Sequence, residues 1–366
     1  MKIVLVADWL DKYGGAERVI SSLCKIFKFQ KCYALIDLME EKNRLLLFAG
    51  RDITVQETNL KYFGHRFRFL FMFFYQFLSE LKIDKEADVI ISSSHAVAKG
   101  IRKSQKSQLH ISYFQARNQK YLWSDYELYF KKVRWAIDII KPNLRKQDTN
   151  AAKNPDYIVV NSIFVKEWVK KIYNRESIVI YPPVDLSNFP LCLVKEDYYV
   201  AVGRIEPYKR FDIIVKAFNE NGKKLIIVGD GTQLNFLKRI AKENISFTGF
   251  VNSDEVYNYI SKAKGFIHAG IEDFGIAPIE AQSCGTPVIA LGYGGVLETI
   301  INNKTGIFFM EKSMDSLISI INEFESLEFN YKEINKNARR FDESIFEAKM
   351  KEFVEEKWKA HKDNIA

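Results

Sequence analysis

Short apolar runs recur along the chain, each closed by a glycine or a polar break and followed by a stretch with helical apolar spacing. KIVLVAD (2–8), DVIISSS (88–94), the run inside HISYFQARNQKYLW (110–123) and YIVVNS (157–162) read as buried strands. GGAERVISSLCKIF (14–27) and IFVKEWVKKIY (163–173) place apolar residues on one face of a helix. The pattern restarts with YYVAVGR (198–204), a helix over 209–221, KLIIVGDG (224–231), ISFTGF (245–250), GFIHA (265–269) and PVIAL (287–291). Strands that alternate with helices predict an α/β fold with parallel sheets. Between the two series SIVIYPPVDLSNF (177–189) carries two adjacent prolines, which stop regular structure and stiffen a connection. The expected organisation is therefore a first domain over 1–181 and a second over 186–342. A last amphipathic helix in 343–366, with Phe346, Met350, Phe353 and Trp358 as its stripe, is expected to pack back on the first domain.

A length of 366 residues suits two such domains better than one core. Hydrophobic content of 47% with 27% charged residues excludes a disordered chain, and no apolar run is long enough to span a bilayer. Cys24, Cys32, Cys192 and Cys284 form no C-x-x-C pair, which argues against a zinc site or disulfide framework and fits a cytoplasmic setting. IVLVA (3–7) reads as a first strand and not as a signal peptide.

Charge is lopsided. Residues 1–180 hold 31 Lys/Arg and 19 Asp/Glu, a net of +12, while the remainder is −4. Such a half calls for an anionic partner: nucleic acid, acidic lipid or a phosphate-bearing acceptor. Two stretches sharpen the choice without closing it. KYFGHRFRFLFMFFYQFLSEL (61–81) is apolar on nearly every face, which fits either burial or a membrane interface. Residues 97–146 hold 12 Lys/Arg against three Asp/Glu, interleaved with Tyr121, Trp123, Tyr126, Tyr129, Phe130 and Trp135. That mixture suits stacking on nucleic acid or contact with a lipid-linked diphosphate.

The most informative chemistry lies in HAGIEDFGIAPIEAQSCGTPVIA (268–290). A strand, a loop carrying Glu272, Asp273, Phe274 and Gly275, and a helix with Pro278 in its first turn make an anion site. The first N–H groups of a helix are unpaired and its dipole favours negative charge. Ile276 and Ala277 belong to that opening. Glu272 and Glu280, eight residues apart, would repel phosphate, so their natural partners are the vicinal hydroxyls of a sugar and a ribose. Arg204 and Lys209, five apart at the exit of a strand, are spaced to straddle a diphosphate. A cation at a helix start is unfavourable unless an anion compensates it. Gly14 and Gly15 open a tight strand-to-helix turn where backbone can approach a ligand, although the spacing is not G-x-G-x-x-G. His95 follows the C-terminal end of a strand, where parallel sheets bind ligands.

The E-x7-E spacing inside EDFGIAPIEAQSCGTPVIA, followed by GGVLET (294–299), resembles the retaining glycosyltransferases of family 4, over nearly the whole chain. The resemblance implies a GT-B fold, two Rossmann-like domains facing an interdomain cleft. It implies that Arg204 and Lys209 of GRIEPYKRFD hold the diphosphate, that Gly14 and Gly15 lie near it, and that Glu272 and Glu280 serve sugar and ribose. Together with SSSHAVAKG, these segments look most like bacterial mannosyltransferases of surface-polysaccharide assembly. That implies a GDP-mannose donor and a lipid-linked glycan acceptor, at the inner face of a membrane. GFVNSDEV (249–256), with Val251, is the expected slot for the base, and a UDP-hexose donor is the alternative. Where relatives show a Y-C-H-T-P-like segment, this chain has Tyr113, Phe114, Gln115, Ala116 and Arg117, which leaves the acceptor side open. No D-x-D occurs, so neither a metal nor a cofactor is expected. The partners expected are the nucleotide-sugar, the glycan acceptor and an anionic membrane surface, with no nucleic acid. A nucleotide-sugar epimerase and a non-catalytic nucleic-acid binder are the competing classes.

Overall fold

The computed structural model describes residues 1–123 and 134–365. Tyr126, Tyr129 and Phe130 of the basic, aromatic stretch lie outside the described residues. The chain divides into two compact units, Met1–Pro183 with Ser344–Ala366, and Val184–Glu343.

The first unit is built on a parallel sheet, seven-stranded among the described residues. Its strands are β1 (Ile3–Ala7), β2 (Phe29–Ala34), β3 (Val55–Gln56), β4 (Val89–Ser94), β5 (Leu109–Phe114), β6 (Tyr157–Val160) and β7 (Ile178–Val179), in the order 3-2-1-4-5-6-7. Both faces are covered, as a parallel sheet demands. Along β1, Ile3, Leu5 and Ala7 join one core with helix Gly15–Ile26, while Val4 and Val6 join another with Leu60, Phe67 and Phe74. The terminal helix Glu343–Asp363 adds Phe346, Met350, Phe353 and Val354 to the first of these cores, with Trp358 partly buried beside them.

The second unit holds β8 (Glu196–Val202), β9 (Leu225–Val228), β10 (Ile245–Gly249), β11 (Ala263–His268), β12 (Val288–Leu291) and β13 (Gly306–Phe309), in the order 10-9-8-11-12-13. Alternation holds here too, since Tyr199 and Ala201 of β8 face one core and Tyr198 and Val200 the other. Where the chain enters and leaves this unit, Val184 N donates to Phe341 O at 3.1 Å and Glu343 N to Val184 O at 3.2 Å.

Each sheet is doubly wound, so strand order reverses once, between β1 and β4 and again between β8 and β11. A ligand crevice opens at the carboxyl ends of the strands at such a reversal. Asp8 and His95 follow the ends of β1 and β4. Arg204 follows β8, and Glu272 follows β11.

Residues 61–81 are not one helix. A 3-10 segment, Asn59–Phe73, breaks at Gly64 (φ 48°, ψ −138°) and hands over to helix Phe74–Leu78. The break splits the aromatics between two environments. Leu60, Phe67, Phe74 and Leu78 are buried, whereas Tyr62 and Phe69 are 78% and 80% exposed.

Candidate functional site

Strand β11 ends at His268, and the loop Ala269–Phe274 then meets Gly275, which caps the next helix with φ 95°, a left-handed value that favours glycine. Helix Ile276–Ser283 has no side-chain cap at its start, and Pro278 occupies its first turn. Gly275 thus offers no side chain to the first N–H groups of the helix, where the positive end of its dipole lies. A second loop is pressed against the first. Gly295 N donates to Glu272 O at 2.9 Å, and a Cβ on Gly295 would come within 2.4 Å of Phe274 Cα. That close approach is the physical reason for the two glycines of GGVLET. Below, the Phe274 ring packs against Phe341 at 5.5 Å.

Lys209 reaches this loop from the other strand of the reversal. It ends a 3-10 turn, Pro207–Lys209, and does not open the following helix, which the periodicity places over 209–221. Arg210 adopts a left-handed conformation (φ 57°), so the helix starts only at Phe211. The anion that compensates Lys209 is Glu272: Lys209 Nζ pairs with Glu272 Oε1, both side chains about four-fifths buried (17% and 22% exposed). Arg204 is exposed and donates from Nη2 to Tyr208 Oη at 3.2 Å, and the Lys209 ammonium lies 5.7 Å from the Tyr208 ring. Glu280, on helix Ile276–Ser283, is buried (7% exposed). Val251 follows β10 and packs, half-buried, on the same core as Ala277. The structure thus gathers Lys209 and Glu272 into contact and leaves Arg204 at the rim.

One member of this site went unremarked in the sequence. His268 is 6% exposed, and its Nε2 is buried without a hydrogen-bond partner. Burial pushes its pKa down to about 4, outweighing the pull of the Glu272 charge, so the ring is neutral near pH 7. Its only sequence signal is a histidine inside the apolar run GFIHA.

In the first unit, Asp8 organises the turn after β4. Its carboxylate is 1% exposed and accepts from the N–H groups of His95, Ala96, Val97 and Ala98 at 2.6, 2.9, 2.5 and 2.6 Å. Those four amides are filled from within the protein. Asp8 Oδ2 also lies 3.1 Å from His95 Nδ1, and Trp9 meets the ring edge-on at 4.5 Å. An Nδ1–H held by a carboxylate leaves Nε2 as the acceptor nitrogen of the neutral ring. Gly14 caps helix Gly15–Ile26 with extended backbone (φ −155°), so conformation does not require a glycine there. A Cβ on Gly14 would meet only Glu17 Oε2, at 3.4 Å, so the absent side chain leaves the backbone accessible. Gln115, in the segment that departs from its relatives, donates from Nε2 to Ser93 Oγ (2.8 Å) and to Ala16 O (3.2 Å). It ties the β5 exit to that helix.

Behind the His95 turn lies a buried ionic hub. Lys99 and Asp148, both 0% exposed, pair at 2.7 Å, and Lys99 Nζ also donates to Ala96 O. Asp148 accepts further from Tyr75 Oη, Gln119 Nε2, Trp123 Nε1 and Tyr173 Oη at 2.7–2.9 Å. A lone Asp148 among basic residues gave no sequence signal, because its partners are scattered from position 75 to 173.

Among the described residues no cluster of His, Cys, Asp and Glu could hold a metal ion, and no helix is long and apolar enough to cross a membrane.

Two doubly wound parallel sheets in one chain, each with polar residues at its reversal, define the GT-B class. Solved structures agree on the fold: the crystal structure of Anabaena Alr3699/HepE in complex with UDP superposes with a TM-score of 0.70 at 17% identity, covering 97% of this chain and 100% of that one. Residues 188–341, which lie within the second unit, match the family described as glycosyl transferases group 1. The O-antigen chain mannosyltransferase RfbU of Salmonella typhimurium is 27% identical over 204 residues, 52% of this chain and 57% of that protein. A GDP-mannose-dependent α-(1-6)-phosphatidylinositol monomannoside mannosyltransferase of Mycobacterium tuberculosis is 33% identical over 142 residues, 34% of this chain and 37% of that protein. The matched region thus spans just over half, or less, of these curated relatives.

Proposed function

We propose that the protein is a retaining glycosyltransferase that moves a hexose from a nucleotide-sugar to a lipid-linked glycan acceptor. The observation that carries this is the meeting of Lys209 and Glu272 at the reversal of the second sheet, beside the uncapped helix Ile276–Ser283. A cation, a dipole and a carboxylate at one point suit a ligand that joins a diphosphate to hydroxyls. In this reading Arg204, Lys209 and the N–H groups of Gly275, Ile276 and Ala277 face the diphosphate. As the glycosidic bond breaks, negative charge grows on that group, and donors fixed beforehand stabilise it. Glu272 orients the transferred sugar and Glu280 the ribose, each accepting from hydroxyls. In the first unit His95, its ring held by Asp8 at the end of β4, is a further candidate for catalysis. No side-chain nucleophile is needed, since the departing phosphate can take the proton of the acceptor hydroxyl on the same face.

GDP-mannose is the donor we favour, because both relatives described above are mannosyltransferases and one is named as GDP-mannose-dependent. The base would sit by Val251, in the loop after β10. Titration of GDP, UDP and dTDP tests this: GDP is expected to bind more than tenfold tighter, the scale set by unpaired hydrogen bonds to a wrong base. Tighter binding of UDP contradicts the mannose assignment and leaves the transferase reading in place.

The reaction is proposed to need no divalent metal, since Arg204, Lys209 and the helix dipole supply the positive charge. Full rate in excess chelator is the expected result, and activity lost in chelator and restored by magnesium or manganese contradicts it.

Peripheral association with anionic membranes is the third part of the reading. Exposed Tyr62, Phe63 and Phe69 beside exposed Lys61 and Arg66, in a unit of high positive charge, suit shallow insertion with headgroup contacts. Sedimentation with acidic vesicles at low salt, reversed at high salt, is expected. Equal partition onto neutral and acidic vesicles, or none onto either, counts against it.

A further inference from the structure

We propose that the Lys209–Glu272 ion pair is a latch that holds down affinity for the free nucleoside diphosphate and opens fully only for the sugar-bearing donor. The inference rests on the donor-site reading above and adds to it a rule of selection.

That reading gives each partner of the pair a different ligand group. Lys209 must turn to a phosphate, and Glu272 must turn to sugar hydroxyls. In this structure each engages the other, with about four-fifths of each side chain buried. A ligand therefore has to exchange the pair, not simply add to it. A nucleoside diphosphate can take Lys209 but has no hexose to offer Glu272. It would leave that partly buried carboxylate without its ammonium, beside incoming negative charge. Separating one partner of a shielded pair is costly, and like charges at one site oppose binding. A nucleotide-sugar brings hydroxyl donors to Glu272 as Lys209 leaves, so both ends of the broken pair are satisfied.

Two basic groups near the pair are not set to take the place of the ammonium. His268 lies at the end of the same strand, where both members of the pair act on it, and burial keeps it neutral. Arg204 is exposed and engaged with Tyr208 Oη. The Lys209 backbone is also pinned, because a Cβ on Gly270 would lie 3.0 Å from Lys209 Cα. What remains to exchange is the side chain, which lies against Gly203: a Cβ there would sit 3.8 Å from Nζ, in ordinary van der Waals contact.

The latch works in both directions. Once the sugar has gone to the acceptor, Glu272 recovers Lys209, and the hold on the spent diphosphate weakens. Product release limits many enzymes of this kind of cycle, so a built-in competitor for Lys209 serves turnover.

Calorimetric titration of the full chain with GDP, UDP and dTDP and with their hexose conjugates tests the latch, comparing wild type with Glu272→Gln. The substitution keeps the shape and removes the charge. It is expected to tighten the best-bound nucleoside diphosphate by about three- to tenfold, the scale of a partly shielded ion pair. It should leave the sugar conjugate unchanged or weaker, so the preference for the conjugate narrows. Unchanged or weaker binding of the diphosphate by Glu272→Gln overturns the latch while the donor site stands. Failure of wild type to bind any conjugate overturns the donor-site reading and the latch with it. Should Glu272→Gln not fold, as judged by its melting curve, Glu272→Ser carries the same expectation.

Discussion

Arg204→Ala and Lys209→Ala are each expected to lower kcat about a hundredfold or more at saturating donor, the cost of one lost oxyanion-type donor. The reason is where the charge appears. In the ground state the diphosphate already carries its charge and is shared with solvent. On the proposed reading the bond to the sugar breaks in the transition state, and the new charge falls on a diphosphate that Arg204 and Lys209 face. A loss confined to the transition state lowers kcat and kcat/KM together. Lys209, four-fifths buried beside Glu272, acts where water screens it least, so its loss should exceed that of exposed Arg204. The carboxylates should divide differently. Glu280→Ala is expected to raise the donor KM through the ribose, and Glu272→Ala chiefly to lower turnover through the sugar. Steady-state kinetics on the four variants decides the matter, and wild-type constants in all four would remove the assignment.

Asp148→Ala is expected to destabilise the first unit by about 3–5 kcal/mol, because it strands the Lys99 ammonium in a fully buried place. It also leaves Tyr75, Tyr173, Gln119 and Trp123 short of an acceptor. Lys99→Met should cost a similar amount, and the double variant Lys99→Met with Asp148→Leu less than the sum, since no lone charge then remains. The chain offers a clean reporter. All five tryptophans (Trp9, Trp123, Trp135, Trp168 and Trp358) belong to the first unit, so denaturant melts followed by tryptophan fluorescence read that unit alone. An Asp148→Ala midpoint equal to wild type contradicts the account of the hub.

The contrast between these sites shows what a sequence displays and what it conceals. Strands with both faces buried read as short apolar runs, so IVLVA, VIISSS and VIAL could be placed from composition alone. β2 (FQKCYA) and β13 (GIFF) escaped because each mixes polar residues or glycine into a short run whose burial comes from its neighbours in the sheet. The loop Glu272–Gly275 and the GGVLET glycines were legible because their chemistry is local: a carboxylate, a left-handed glycine and a helix start lie within a few residues. Lys209 was legible as a cation, but its partner was not, since the pair joins residues 63 apart in sequence. Asp8 looked like the polar end of a strand. Its four amide contacts lie 87 to 90 residues away, and no local spacing announces them. The aromatic run 61–81 reads as one apolar environment, since it is apolar on nearly every face. Gly64 broke the helix and gave its rings two.

The central claim is transfer of a sugar from a nucleotide, and the direct measurement follows a label placed in that sugar. The full chain is incubated with GDP-mannose or a UDP-hexose labelled in the hexose, together with lipid-linked glycan acceptors, and the products are separated into nucleotide and lipid fractions. Label is expected to leave the nucleotide for the lipid fraction, the new linkage to keep the anomeric configuration of the donor, and Lys209→Ala to slow the movement about a hundredfold or more. Label that stays on the nucleotide in an epimerised sugar, or that appears only as free hexose, contradicts it.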